Sequence, residues 1–141
     1  MTEQERNLEA TKHLYAICAQ GDWVAVREML DDDFFATEAP GLPYEGVFRG
    51  RDGLQELYGT VMGMMDSTGM DLIEMTCGGD WVIVLVEIKA TDAGGDFCIA
   101  LAEGTRFRDG KICEIKPYYF DPALVHRAVN AKKAATAKVT A

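Results

Sequence analysis

The sequence predicts an α+β domain, with N-terminal helices against a cone-shaped, curved antiparallel (mixed) sheet around an internal apolar pocket. Three observations carry that expectation. Apolar residues recur at helical spacing over the first half of the chain, and from Met70 the pattern changes to strands divided by Gly-containing turns. The stretch from Trp81 to Ile88 is apolar at odd and even positions until Glu87, so both of its faces need cover. At 141 residues the chain has the size of one domain.

Thr2 with Glu5 three residues on forms a capping box, after which Leu8, Thr11, Leu14, Tyr15 and Cys18 follow a helical period. Gly21 closes this helix, and Asp22 caps a short second one with Val26, Met29 and Leu30 inward. A strand is expected from Phe34 to Glu38. The stretch from Ala39 to Gly50 has too much Pro and Gly for a regular element, yet a plain loop would strand Leu42, Tyr44 and Phe48 in water. It reads as a partial lid over the pocket mouth. Asp52 with Gln55 three residues on opens a third helix, carried by Leu54, Leu57, Tyr58, Val61, Met64 and Met65. Four long strands follow, joined at Gly78-Gly79-Asp80, Ala93-Gly94-Gly95 and Arg108-Asp109-Gly110. Residues 1–125 read as the domain and 126–141 as a basic, Ala/Lys-rich solvated tail. Three short helices blanket one sheet face only, so a second copy is expected on the other, giving a homodimer.

Composition narrows the function. Lys and Arg total 14 against 23 acids, a net charge of −9. From Ala123 onward there are four basic residues and no acid, which leaves ten against 23 in the body, or −13. Such a field repels phosphate backbones and anionic lipid, so neither nucleic acid nor membrane is an expected partner. The polar start, Met1-Thr-Glu-Gln-Glu-Arg, has no apolar signal core behind it, and the chain is expected in the cytoplasm. Cys18, Cys77, Cys98 and Cys113 lie far apart, without metal-ligand spacing, and read as buried thiols; no metal and no cofactor are expected.

Several short motifs have the order and spacing of a known fold. They are Gly21-Asp22 closing the first helix, Leu30-Asp31-Asp32-Asp33-Phe34, Gly50-Arg51-Asp52-Gly53-Leu54, Arg106-Phe107-Arg108-Asp109-Gly110-Lys111-Ile112, and Tyr118-Tyr119-Phe120-Asp121. Over residues 5 to 122 the chain resembles the nuclear transport factor 2-like superfamily, in its SnoaL-like and ketosteroid-isomerase-like branch. That fold hosts isomerases, cyclases, epoxide hydrolases, dehydratases and modules without chemistry, so it implies a pocket but no single reaction.

Two carboxylates are the catalytic candidates. Glu38 ends the first strand beside the Pro-containing loop, where the resemblance implies a base that takes a proton next to a carbonyl. Glu103, four residues before Phe107, matches the position where the isomerases hold a neutral acid that donates to an oxyanion. Its face depends on the turn. A two-residue Asp109-Gly110 hairpin sets Glu103 opposite Lys116; a three-residue loop sets it opposite Ile115, in an apolar row with Pro117 and Tyr119. The apolar residues at 99, 101 and 107 favour the second register.

The isomerases also place a tyrosine seven residues before the Gly-Asp pair. Here that position is Leu14, and Tyr15, rotated by about 100° around the helix, is not expected to replace it. Tyr118 or Tyr119 is the expected alternative donor. Tyr15, Phe35, Tyr44, Phe48, Leu101, Pro117 and Tyr119 are the expected lining for a small hydrophobic ligand. His13 and His126 are isolated and carry no assigned role. The readings are an isomerase or cyclase, a small-molecule binding protein without chemistry, and a protein-interaction module.

Overall fold

The computed structural model describes the backbone of residues 1–140 and the side chains of residues 1–138. Helix α1 (Glu3–Gln20) starts where Thr2 Oγ1 accepts from the Glu5 N–H at 3.1 Å. It ends at Gly21, whose φ of 70° is the left-handed conformation that glycine enters without steric cost. Asp22 accepts from the Ala25 N–H and starts α2 (Trp23–Met29). Strand β1 (Leu30–Glu38) follows, then β2 (Gly46–Arg49) and α3 (Gly53–Met64). Two expectations fail here. Part of the supposed loop is a strand, because Gly46 to Arg49 pairs antiparallel with β1. Asp52 makes no cap bond; its carboxylate pairs with Arg27. Gly53 is required, since a Cβ there would lie 2.8 Å from the Phe48 carbonyl oxygen.

Strands β3 (Gly69–Gly78), β4 (Trp81–Asp92), β5 (Gly95–Arg108) and β6 (Lys111–Tyr119) form the expected antiparallel run. The six-stranded sheet has the order β2-β1-β6-β5-β4-β3, mixed because β1 and β6 are parallel. Alternation sorts its faces. Val82, Val84 and Val86 of β4 are buried toward the helices, with Leu101, Ile112, Ile115, Phe34 and Ala36. Leu14, Ile17 and Cys18 of α1 and Leu54 and Leu57 of α3 complete this core.

Beyond the sheet the chain continues as a helix, packed in its first turns and exposed over residues 133–138. Residues Pro122–Thr140 form α4, and Val125, Ala128 and Val129 are buried in a second cluster with Leu42, Tyr44, Met65, Ala90 and Ile99. The boundary expected at 125 therefore falls inside a packed helix; residue 141 lies outside the described residues. Arg127 fixes the helix to the sheet, with two bonds to Asp92 at 2.6 and 2.8 Å and its guanidinium 3.9 Å from the centre of the Phe97 ring. The cysteines are free, but only Cys18 and Cys113 are buried; Cys98 is exposed and Cys77 half-buried.

Candidate functional site

Strand register brings the two candidate carboxylates to one face. Ala36 pairs with Ile115, and Ile115 with Thr105; two residues along, Pro117 pairs with Glu103. Glu38 and Glu103 thus stand on either side of Pro117, two strand spacings or about 10 Å apart at the backbone. The β1–β6 ladder stops at Ala36–Ile115, because Pro117 has no N–H to extend it. There β1 turns to β2 alone, with Glu38 opposite Gly46.

Neither register expected for Glu103 is the one found. Asp109 and Gly110, with φ of 52° and 79°, make a two-residue turn, and Arg108 pairs with Lys111. The register then shifts between Phe107 and Arg106, leaving Cys113 as an extra residue whose thiol donates to the Arg106 carbonyl. Turn and bulge together restore the parity. Glu103 shares the helix-facing side with Ile99, Leu101, Thr105 and Phe107, while Lys116 lies opposite Gly104 on the other face.

Glu38 is 4% exposed, and its Oε2 is buried without a hydrogen-bond partner. Burial pushes its carboxyl up to about 8, and the nearby charge of Glu103 adds to the rise. Glu103 accepts from the Tyr15 hydroxyl at 2.5 Å. Burial raises its carboxyl, and the Tyr15 bond partly offsets that rise. The residue keeps some accessible surface while its carboxyl is enclosed by protein. Enclosure governs proton affinity, since desolvation acts on the charged atoms. Beside it, burial and the Glu103 charge raise Tyr58, and burial takes Cys18 to about 11 against the lowering bond from Tyr58.

On the other side, the hydroxyls of Tyr44 and Tyr119 are 2.7 Å apart. Burial lifts Tyr44 to about 12 against the lowering bond to Tyr119, and burial and then the Glu38 charge raise Tyr119. Thr105 is fully buried, and its hydroxyl has no partner. Among the described residues no Lys, Arg or His pairs with Glu38 or Glu103. The basic groups are engaged elsewhere, Arg106 with Glu114, Arg108 with Asp31 and Lys89 with Asp71.

Of the expected lining, Tyr15, Tyr44, Leu101, Pro117 and Tyr119 face the helix side, and Phe48 lies there opposite Ala36. Phe35 does not. It is one residue out of phase with Phe34 and Ala36, pairs with Glu114 and Arg49, and has the Arg49 guanidinium 5.9 Å from its ring centre. Tyr118 is likewise on the outer face and 55% exposed, which leaves Tyr119 as the inner tyrosine of β6. Tyr15, one position on from Leu14, reaches the Glu103 carboxyl with its hydroxyl. Tyr58 and the Thr105 hydroxyl were not singled out as polar site groups; their rows read as plain core.

Among the described residues no cluster of three His, Cys, Asp or Glu suits a metal ion, and no helix is long and apolar enough to cross a membrane. The family model of the SnoaL-like domain matches residues 11–115. No curated protein matches. Solved structures do, through the fold. A nuclear transport factor 2-like protein from Burkholderia xenovorans LB400 is 19% identical with a TM-score of 0.76, covering 92% of this chain and 99% of its own. TerC, co-crystallised with polyporic acid, is 22% identical at a TM-score of 0.72, covering 89% and 98%. A protein from Jannaschia Sp. CCS1, provisionally named a SnoaL-like polyketide cyclase, is 14% identical at 0.74, covering 93% and 96%.

Proposed function

The chain belongs to the SnoaL-like domain family, and on that premise we propose that it binds a small hydrophobic molecule between helices and sheet and transfers a proton on it with Glu38 and Glu103. The reaction class is a cofactor-free isomerisation or cyclisation of a carbonyl compound. One observation carries the reading: Glu38 is a buried carboxyl with an unpartnered oxygen, in the same cross-strand row as a second raised carboxyl. A purely structural acid would be exposed or paired.

The roles follow from the environments. Glu38, with a pKa near 8, passes between acid and base close to neutrality and takes the proton beside the carbonyl. Burial raises the Glu103 carboxyl and so favours its protonated form, which donates from the oxygen that Tyr15 does not occupy. The Tyr15 bond orients that carboxyl, a positioning role. Leu42 and Tyr44, buried under α4, act as the lid, with the Gly41 carbonyl oxygen accepting from His126 Nε2 at 2.7 Å.

Carboxyl titration by NMR on glutamate-labelled protein tests the reading. At least one carboxyl should titrate above pH 7 and vanish in Glu38→Gln; if both titrate near about 4, the catalytic reading has lost its basis. The outer sheet face supports a second reading as a homodimerisation surface, since Leu85 is 44% and Tyr118 55% exposed there. It is compatible with catalysis, with binding alone, or with a protein-interaction module.

A further inference from the structure

We infer that the molecule taken by this site carries a protonated amine, seated between Glu38 and Glu103. The inference rests on the proposed site and narrows its ligand. Two carboxyls, the phenols of Tyr15, Tyr44, Tyr58 and Tyr119, and the Thr105 hydroxyl form its polar surround. No cation of the chain pairs with either acid among the described residues.

Once Glu38 loses its proton, the unfilled bonding capacity is for a donor. Glu38 Oε2 is buried with nothing donating to it, and Thr105 Oγ1, fully buried two residues from Glu103 on the same face, also lacks a partner. An ammonium group offers three donors and no acceptor, and the tyrosine rings present faces that attract a cation. A carboxylate ligand would meet two acids. A neutral ketone can be held only while the acids keep their protons, and it brings no charge to offset the Glu38 carboxylate once that proton leaves. The net charge of −9 draws cations toward the protein before contact.

Binding then moves a proton. In the empty site burial keeps Glu38 mostly protonated at pH 7. The amine arrives as its ammonium ion, Glu38 gives its proton to solvent, and the carboxylate formed pairs with the ligand. Charge and atoms balance, with one cation taken up and one proton released. The ligand's own charge thereby converts Glu38 into the base that proton transfer needs. Glu103 of β5, Tyr44 of the loop and Tyr119 of β6 face the Glu38 carboxyl, while Tyr15 and Cys18 of α1 and Tyr58 of α3 face that of Glu103. Burial raises the phenols and the thiol, which leaves Glu38 to exchange a proton near neutrality.

Calorimetric titration of the full chain at pH 7 with benzylamine, acetophenone and benzoate tests this, in buffers of different ionisation enthalpy. Benzylamine should bind at least about tenfold more tightly than acetophenone, release about one proton, and leave benzoate unbound. Glu38→Gln should abolish both the preference and the proton release, and Glu103→Gln should weaken them. Acetophenone binding as tightly as benzylamine, or benzylamine binding without proton release, overturns the inference and leaves the proposed function standing. If neither ligand binds, both fall.

Discussion

The Tyr15 hydroxyl reaches Glu103 Oε1 at 2.5 Å across 88 residues of sequence, joining the first helix to the middle of β5. That bond sets the orientation of one acid and leaves the other, Glu38, without a donor. The asymmetry gives two chemically identical side chains different surroundings. It is also where the site is most easily perturbed.

Tyr15→Phe removes the donor and strands a buried acceptor. Stability should fall by about 1–3 kcal/mol in chemical denaturation. The Glu103 carboxyl should titrate higher still, because the bond that lowers it is gone. An unchanged Glu103 titration would show that the bond does not form in solution.

Glu38 gives the protein a pH dependence of definite sign. Its folded pKa of about 8 lies above the ordinary carboxylate value of 4.5. Between those values the native state holds a proton that the unfolded chain has lost, so stability falls as pH rises through that window. Melting temperature should therefore decline from pH 5 to pH 8, and Glu38→Gln should flatten the decline. A wild-type slope that survives the substitution would place its origin elsewhere.

The hydroxyl pair of Tyr44 and Tyr119 ties the 39–50 segment to β6. Single Phe substitutions at each position and the double variant form a cycle, with an expected coupling of about 0.5–1.5 kcal/mol. A coupling near zero would mean that each hydroxyl finds water instead.

Helix α4 belongs to the folded unit. Val125 is fully buried, so Val125→Ala should cost about 1–3 kcal/mol in urea unfolding. Loss of less than a few tenths would return the helix to the status of an appendage.

The outer sheet face should hold two copies together. Sedimentation at micromolar concentration is expected to give a dimer, and Leu85→Glu, which places a charge in the middle of that face, should give a monomer with its fold retained. A wild-type monomer would remove the dimer from every reading of the function.

What the sequence by itself determined is whatever neighbouring residues decide among themselves. Thr2 and Asp22 cap their helices through amides three residues away, Gly21 turns the chain, and alternation sorts Val82, Val84 and Val86 from Ile83 and Leu85. The family motifs are legible in the same local way, and the resemblance they carry points to Glu38 and Glu103 as candidates. Tertiary structure decided the rest. The bulge at Cys113 set the partner of Glu103, and only packing could place it, because a single extra residue leaves little mark on local pattern. Phe35 was assigned to the lining although alternation alone puts it out of phase with Glu38. The bond of Tyr15 to Glu103 and the packing of α4 are not legible from helical angle or charge, because neither tells how a helix will lie on the sheet. Those outcomes depend on the relative placement of elements distant in the chain, which the burial of their apolar faces against one another fixes.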